Sequence, residues 1–128
     1  MRSDNPVINV YKKNNIKSGV VTQLLYGDTF KKIRESESWF KIKNDSDNYK
    51  GYIKKKNFPS NQKNTHKVYN LNANLYSKPS TKNKIKKKLS FGSKIKVVEK
   101  KNNFYVVQGV PGQIDILYAK FLVRYKGF

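Results

Sequence analysis

Residues 23–42 read QLLYGDTFKKIRESESWFKI, and residues 88–107 read KLSFGSKIKVVEKKNNFYVV. A shift of 65 residues lays Leu24 on Leu89, Tyr26 on Phe91, Gly27 on Gly92, Phe30 on Ile95, Ile33 on Val98, Trp39 on Phe104 and Ile42 on Val107, without a gap. Self-similarity at a fixed offset marks duplicated structural units. Two copies are too few for a solenoid, so the pattern implies two small domains in tandem.

Within each copy the apolar period is that of short strands. In WFKIK, Phe40 and Ile42 alternate with Trp39, Lys41 and Lys43, which places the first pair on a core face and Trp39 opposite it. In FYVVQ the same alternation sends Tyr105 and Val107 inward and Phe104 outward. Gly27 and Gly92 each follow an apolar residue and precede Asp28 or Ser93, a turn signature that needs permissive backbone. NDSDNYKGY reads as a hairpin tip before the strand GYIKK. In TFKKIR, Phe30 and Ile33 have helical spacing, but the segment is short and closely bounded, so a strand is expected there with the Lys32 stem along apolar surface. KIKKKL is expected as a basic loop between strands.

Fifty to sixty residues of short strands per unit is the size of a small, partly open barrel. The expected fold is therefore all-β: two tandem small β-barrels packed against each other, spanning 7–58 and 67–123, with a polar linker at 59–66. Units this small fold only marginally alone, which favours contact between them. Hydrophobic residues make up 37% of the chain, a lean supply, but 13% are aromatic and bury much area each.

Twenty-eight Lys and Arg against eight Asp and Glu give a formal charge of +20, spread over both halves. Such a field attracts polyanions such as nucleic acid, anionic lipid or an anionic wall polymer, without dictating fold. Lysine and asparagine abundance would equally follow from an AT-rich genome. No run approaches the roughly 18 apolar residues that span a bilayer. MRSDNPVINV carries no apolar signal-peptide core, which leaves the cytoplasm, where wall peptides are recycled, or the periplasm and envelope by another export route.

TQLLYGDTFKKIRESESWFKIKNDSDNYKGYI resembles the bacterial SH3 (SH3b) pattern: an apolar pair, Gly and an acidic residue, then a Trp opening the next strand, then a closing Gly-aromatic-apolar triplet. The second unit, opening THKV and closing ILYAKFLV, is similar to the second SH3b of the pair that precedes the catalytic domain in NlpC-type cysteine peptidases of peptidoglycan. It departs from the pattern at Asp115-Ile116-Leu117, where the closing triplet is expected. The resemblance implies recognition of peptidoglycan or a muropeptide, positioning an NlpC-type catalytic domain in cis or in trans.

Catalysis by these residues is not expected. Cysteine is absent, and the only histidine, His66, stands at the linker as a packing or hydrogen-bonding residue. Scattered Asp residues, with Asp45 and Asp47 in a solvated turn, form no metal-ligand cluster, and nothing calls for a cofactor. Binding remains. Outer-face aromatics are the candidates, because Trp and Tyr give large contact area at low entropy cost: Tyr11, Trp39, Tyr49 and Tyr52 in the first unit, Phe104 and Tyr118 in the second. Trp39 could instead only cap its own barrel. Lys84, Lys86, Lys87 and Lys88 are the candidate polyanion contacts, the alternative function being that of a nucleic-acid or other polyanion-binding pair of barrels.

Overall fold

In a computed structural model that describes residues 1–70, 72–76, 85–101, 104–108, 116–119 and 122–124, Phe40 and Ile42 are buried while Trp39, Lys41 and Lys43 are half-exposed. The alternation of WFKIK is thus realised as a strand with one wet side. The chain divides into two compact units, Met1–Asn61 and Gln62–Phe128. Residues 59–61 of the expected linker fall in the first unit, where the Pro59 carbonyl accepts from the Arg2 amide. His66 already belongs to the first strand of the second.

The first unit holds β1 (Val7–Tyr11), β2 (Val20–Leu25), β3 (Phe30–Glu35), β4 (Trp39–Asn44) and β5 (Lys50–Lys54), all antiparallel, in the order β2-β1-β5-β4-β3. The ladder ends at β2 and β3, so the sheet does not close on itself. Its inner face carries Val10, Leu24, Phe30, Phe40, Ile42 and Ile53, with Phe58 laid edge-on against Phe30 at 5.1 Å. Full burial of such a side chain contributes about 1.5–3 kcal/mol.

Beneath this core, Arg2 is wholly buried. Its Nε donates to the Ser60 carbonyl at 2.9 Å, while Nη1 and Nη2 find no well-aligned acceptor. Burial pushes the neighbouring Tyr26 hydroxyl up against the opposing pull of the Arg2 charge.

The second unit contains β6 (His66–Val68), β7 (Asn72–Tyr76), β8 (Ile85–Ser90), β9 (Lys94–Ile95), β10 (Val97–Lys101), β11 (Phe104–Gln108), β12 (Ile116–Ala119) and β13 (Leu122–Arg124). Its five-stranded sheet runs β10-β11-β12-β7-β8, and β13-β6-β9 form a second, smaller sheet. The register follows that of the first unit at the same offset of 65: Ile8 faces Leu24 and Ala73 faces Leu89, Lys32 faces Ile42 and Val97 faces Val107. The turns match too. Ser3 N donates to Asp28 O at 2.8 Å and Val68 N to Ser93 O at 2.9 Å, with Gly27 and Gly92 both at positive φ, 85° and 89°. Only glycine enters that region without strain.

Two expectations are corrected at the level of elements. Ile33 and Val98, aligned as apolar partners, sit at irregularities where the register slips between Lys32 and Arg34 and between Val97 and Glu99, and both are about half-exposed. A bulge adds an unpaired residue to a strand, which is why TFKKIR shows a three-residue apolar spacing while remaining extended. The run IKKKLS is strand β8 rather than a loop. Lys87 and Lys88 are adjacent on that strand and point to opposite faces, so these two do not gather into one patch.

Candidate functional site

Position i of a strand faces its cross-strand partner, so the ladder decides which aromatics meet. Tyr11 closes β1 and pairs with Tyr52 of β5. Its ring meets Trp39 of β4 edge-on, centroids 5.7 Å apart and planes at 87°. Such a pair adds about 0.5–1.5 kcal/mol beyond its area. Three residues separated by up to 41 positions thus form one aromatic wall on the outer side of the sheet.

Gly51 makes the approach possible. A Cβ there would lie 2.5 Å from Val10 Cγ1 and 2.9 Å from the Tyr11 carbonyl oxygen. No side chain fits between β1 and β5 at this point, and the bare backbone lets Tyr11 reach the hairpin that carries Trp39 and Tyr52.

Trp39 and Tyr52 of this wall line a groove of about 190 Å³ with Asn14, Arg34, Glu35, Ser36 and Lys41. Trp39 also borders a second hollow of about 390 Å³, formed with Glu37, Ser38, Lys54 and Lys55. Trp39 is thus common to both. Lys41 Nζ stands 5.8 Å over the Tyr52 ring, a cation–π contact that keeps a positive charge at the groove floor.

The loop before Trp39 is tied at several points. Ser36 N donates to Trp39 O at 2.9 Å, and Lys55 N donates to Ser38 O at 3.0 Å. Glu35 receives Lys32 Nζ at 2.7 Å and Lys55 Nζ at 2.5 Å. Those two ammonium groups, Lys32 first, hold its carboxyl down to about 2. Lys32 also stands 5.1 Å over the Phe40 ring, so its stem lies on apolar surface as its sequence context implied.

Of the residues singled out by sequence, Tyr11, Trp39 and Tyr52 come together. Tyr49 does not: it lies 45% exposed at the hairpin tip, beyond the end of the β4–β5 ladder opposite Trp39, where its amide donates to Asp47 Oδ1. Phe104 is corrected outright. It is 5% exposed and packs edge-on against Tyr76 at 6.2 Å, and it is Tyr105 that is half-exposed, beside the His66 ring at 5.2 Å. The cause is visible along the strands: β4 reads Trp39-Lys41-Lys43 on its outer side, whereas β11 reads Phe104-Val106-Gln108, which has no charge to keep that side wet.

Tyr118 pairs with Tyr76 in the ladder as Tyr52 does with Tyr11, but its side chain lies outside the described residues. The aromatic wall therefore recurs at Tyr76 and Phe104 in covered form. Tyr76 escaped sequence reasoning although it stands 65 residues after Tyr11. Arg34, Lys41 and Asn14 escaped because single polar residues carry no periodic signal. Lys84 lies outside the described residues, as does the Lys86 side chain; Lys87 is half-buried and Lys88 exposed on β8.

Among the described residues no three His, Asp or Glu gather as a metal site would require, and no helix is long and apolar enough to cross a membrane. His66 Nδ1 lies 2.8 Å from Thr65 Oγ1, whose oxygen accepts from Val97 N, a structural setting. Residues 6–59 match the bacterial SH3 domain, so the first unit is a domain of that kind. Domains of this class are generally non-catalytic and are often cell-wall-binding modules. No curated protein matches the chain.

Proposed function

We propose that the chain is a non-catalytic wall-binding protein whose first unit holds a stem peptide of peptidoglycan in the groove beside Trp39. The observation that carries this reading is the half-exposed indole that lines two hollows, braced by Tyr11, with Arg34 and Lys41 beside it in the first. An aromatic wall gives sequence-tolerant contact to a short peptide backbone, and the two cations give its carboxylates a partner. Glu35 does not oppose them, because its charge is taken up by Lys32 and Lys55.

The second unit, with its matching register, is proposed as a second copy of the same domain whose aromatic pair has been turned inward. In this reading the pair of units positions an NlpC-type peptidase domain, in cis or in trans, on its substrate. Stem peptides are met in the envelope or, during recycling, in the cytoplasm, and either location serves.

The test is retention on purified sacculi stripped of their phosphodiester-linked polymers, at low and high salt. The parent is expected to be retained at high salt, and Trp39→Ala, folded by circular dichroism, is expected to be lost. Retention that disappears with salt and ignores Trp39 would replace this reading with charge attraction, and the net charge of +20 would then bring nucleic acid forward.

A further inference from the structure

The sheet that carries the groove has a second feature on the same outer side. Lys31 of β3 faces Lys43 of β4, and Lys43 faces Lys50 of β5. Three lysines thus stand in one row across three strands, at strand spacings of about 4.8 Å. Two residues along, Arg34 faces Lys41. Like charges directly opposite in an antiparallel pair destabilise it. Among the described residues, Lys31 alone of these has a carboxylate partner, Asp45 at 3.3 Å, while Arg34, Lys41, Lys43 and Lys50 have no ion pair.

Indiscriminate lysine enrichment does not account for the row. The second unit has the same register and shares the lysine-rich composition, yet Gln108 facing Ile116 occupies the place of Lys43 facing Lys50, and Glu99 facing Val106 the place of Arg34 facing Lys41. The first unit has acidic residues available at Asp4, Asp28, Glu35, Glu37, Asp45 and Asp47. Not one of them stands in these rows.

We propose that the outer face of β3–β4–β5 around Lys31, Lys43 and Lys50 is a second binding site, for a base-free phosphodiester polymer of the wall, a polyol-phosphate chain. The row supplies point charges without rings. Nucleic acid would call for aromatic faces on which successive bases stack. The aromatics within the outer side of these strands are gathered at the groove end, where Lys41 already stands over Tyr52, and the exposed Tyr49 at the hairpin tip is a single ring, too few for successive bases to stack on. The choice of a wall polymer rests on the wall-binding reading above; the cationic row does not.

The experiment measures binding of the full chain to synthetic poly(glycerol phosphate) and to oligothymidylate of equal phosphate number, across a salt series, for the parent, Lys43→Gln/Lys50→Gln and Trp39→Ala. The parent is expected to bind poly(glycerol phosphate) at least as tightly as oligothymidylate. The double variant should flatten the log–log salt slope by about 1.4, at roughly 0.7 for each phosphate of a flexible strand that is no longer neutralised. It should keep its retention on stripped sacculi, whereas Trp39→Ala should keep the polymer and lose the sacculi. An unchanged slope in the double variant, absence of polymer binding in the parent, or loss of the polymer in Trp39→Ala would overturn the second site. Tighter binding of oligothymidylate would overturn its assignment to a wall polymer.

Discussion

Gly51 shows how one absent side chain positions three present ones. Alanine at this position would meet the Tyr11 carbonyl oxygen at 2.9 Å, a backbone atom that cannot rotate aside, as well as Val10 Cγ1. Overpacking of this kind costs about 1–3 kcal/mol. Gly51→Ala is expected to lower stability by that amount in urea unfolding and, in conditions where it remains folded, to weaken retention on stripped sacculi, because Tyr11 must retreat from Trp39. Full retention by a folded Gly51→Ala would show that the brace from β1 is dispensable. Arg2 makes a different residue-scale point: a cation with its two Nη atoms buried and poorly partnered stabilises little. Its value to the unit lies in the Nε bond to Ser60, which fastens the segment after β5.

At the scale of elements, the β3–β4 turn depends on Glu35, which joins Lys32 of its own strand to Lys55 beyond β5. Because the folded carboxyl titrates near 2, below its ordinary value of 4.5, the stabilisation is complete above about 4.5 and is lost as pH falls through about 2. Asp45 shifts the same way: burial pushes it up, but the Thr29 hydroxyl and Lys31 outweigh that and draw it down. Carboxyl NMR titration should therefore find Glu35 titrating near 2, and Glu35→Gln should remove part of the stability loss between pH 4.5 and 2. A Glu35 midpoint near 4.5 would mean that the two lysines do not hold it. The exposed setting makes the contribution salt-sensitive, so the titration belongs at low ionic strength.

At the scale of the whole molecule, each unit has its own sheet and its own buried residues, and the first contains Trp39, the only tryptophan. Indole fluorescence thus reports on the first unit while far-ultraviolet circular dichroism reports on both. Non-coincident urea transitions by the two probes are expected, as for any chain whose halves do not unfold as one cooperative body. Superimposable curves would show that the two units melt together. The same division explains why the +20 charge says little until it is mapped: the halves share a register, yet only the first lines up Lys31, Lys43 and Lys50.

The sequence by itself determined what depends on neighbours along the chain. The offset of 65, the glycine turns at Gly27 and Gly92, the inward Phe40 and Ile42 with Trp39 outward, and the lack of a thiol nucleophile were all legible, because side chains alternate with period two and only glycine takes the turn backbone. The tertiary structure decided everything that depends on lateral register. Ile33 lost its core place to a bulge, Phe104 turned inward beside Tyr76, and Tyr11 joined Trp39 and Tyr52 through a strand pairing that Gly51 permits. Alternation fixes which residues share a side of one strand. It does not fix which strand lies alongside, and the groove and the lysine row both arise from that second choice.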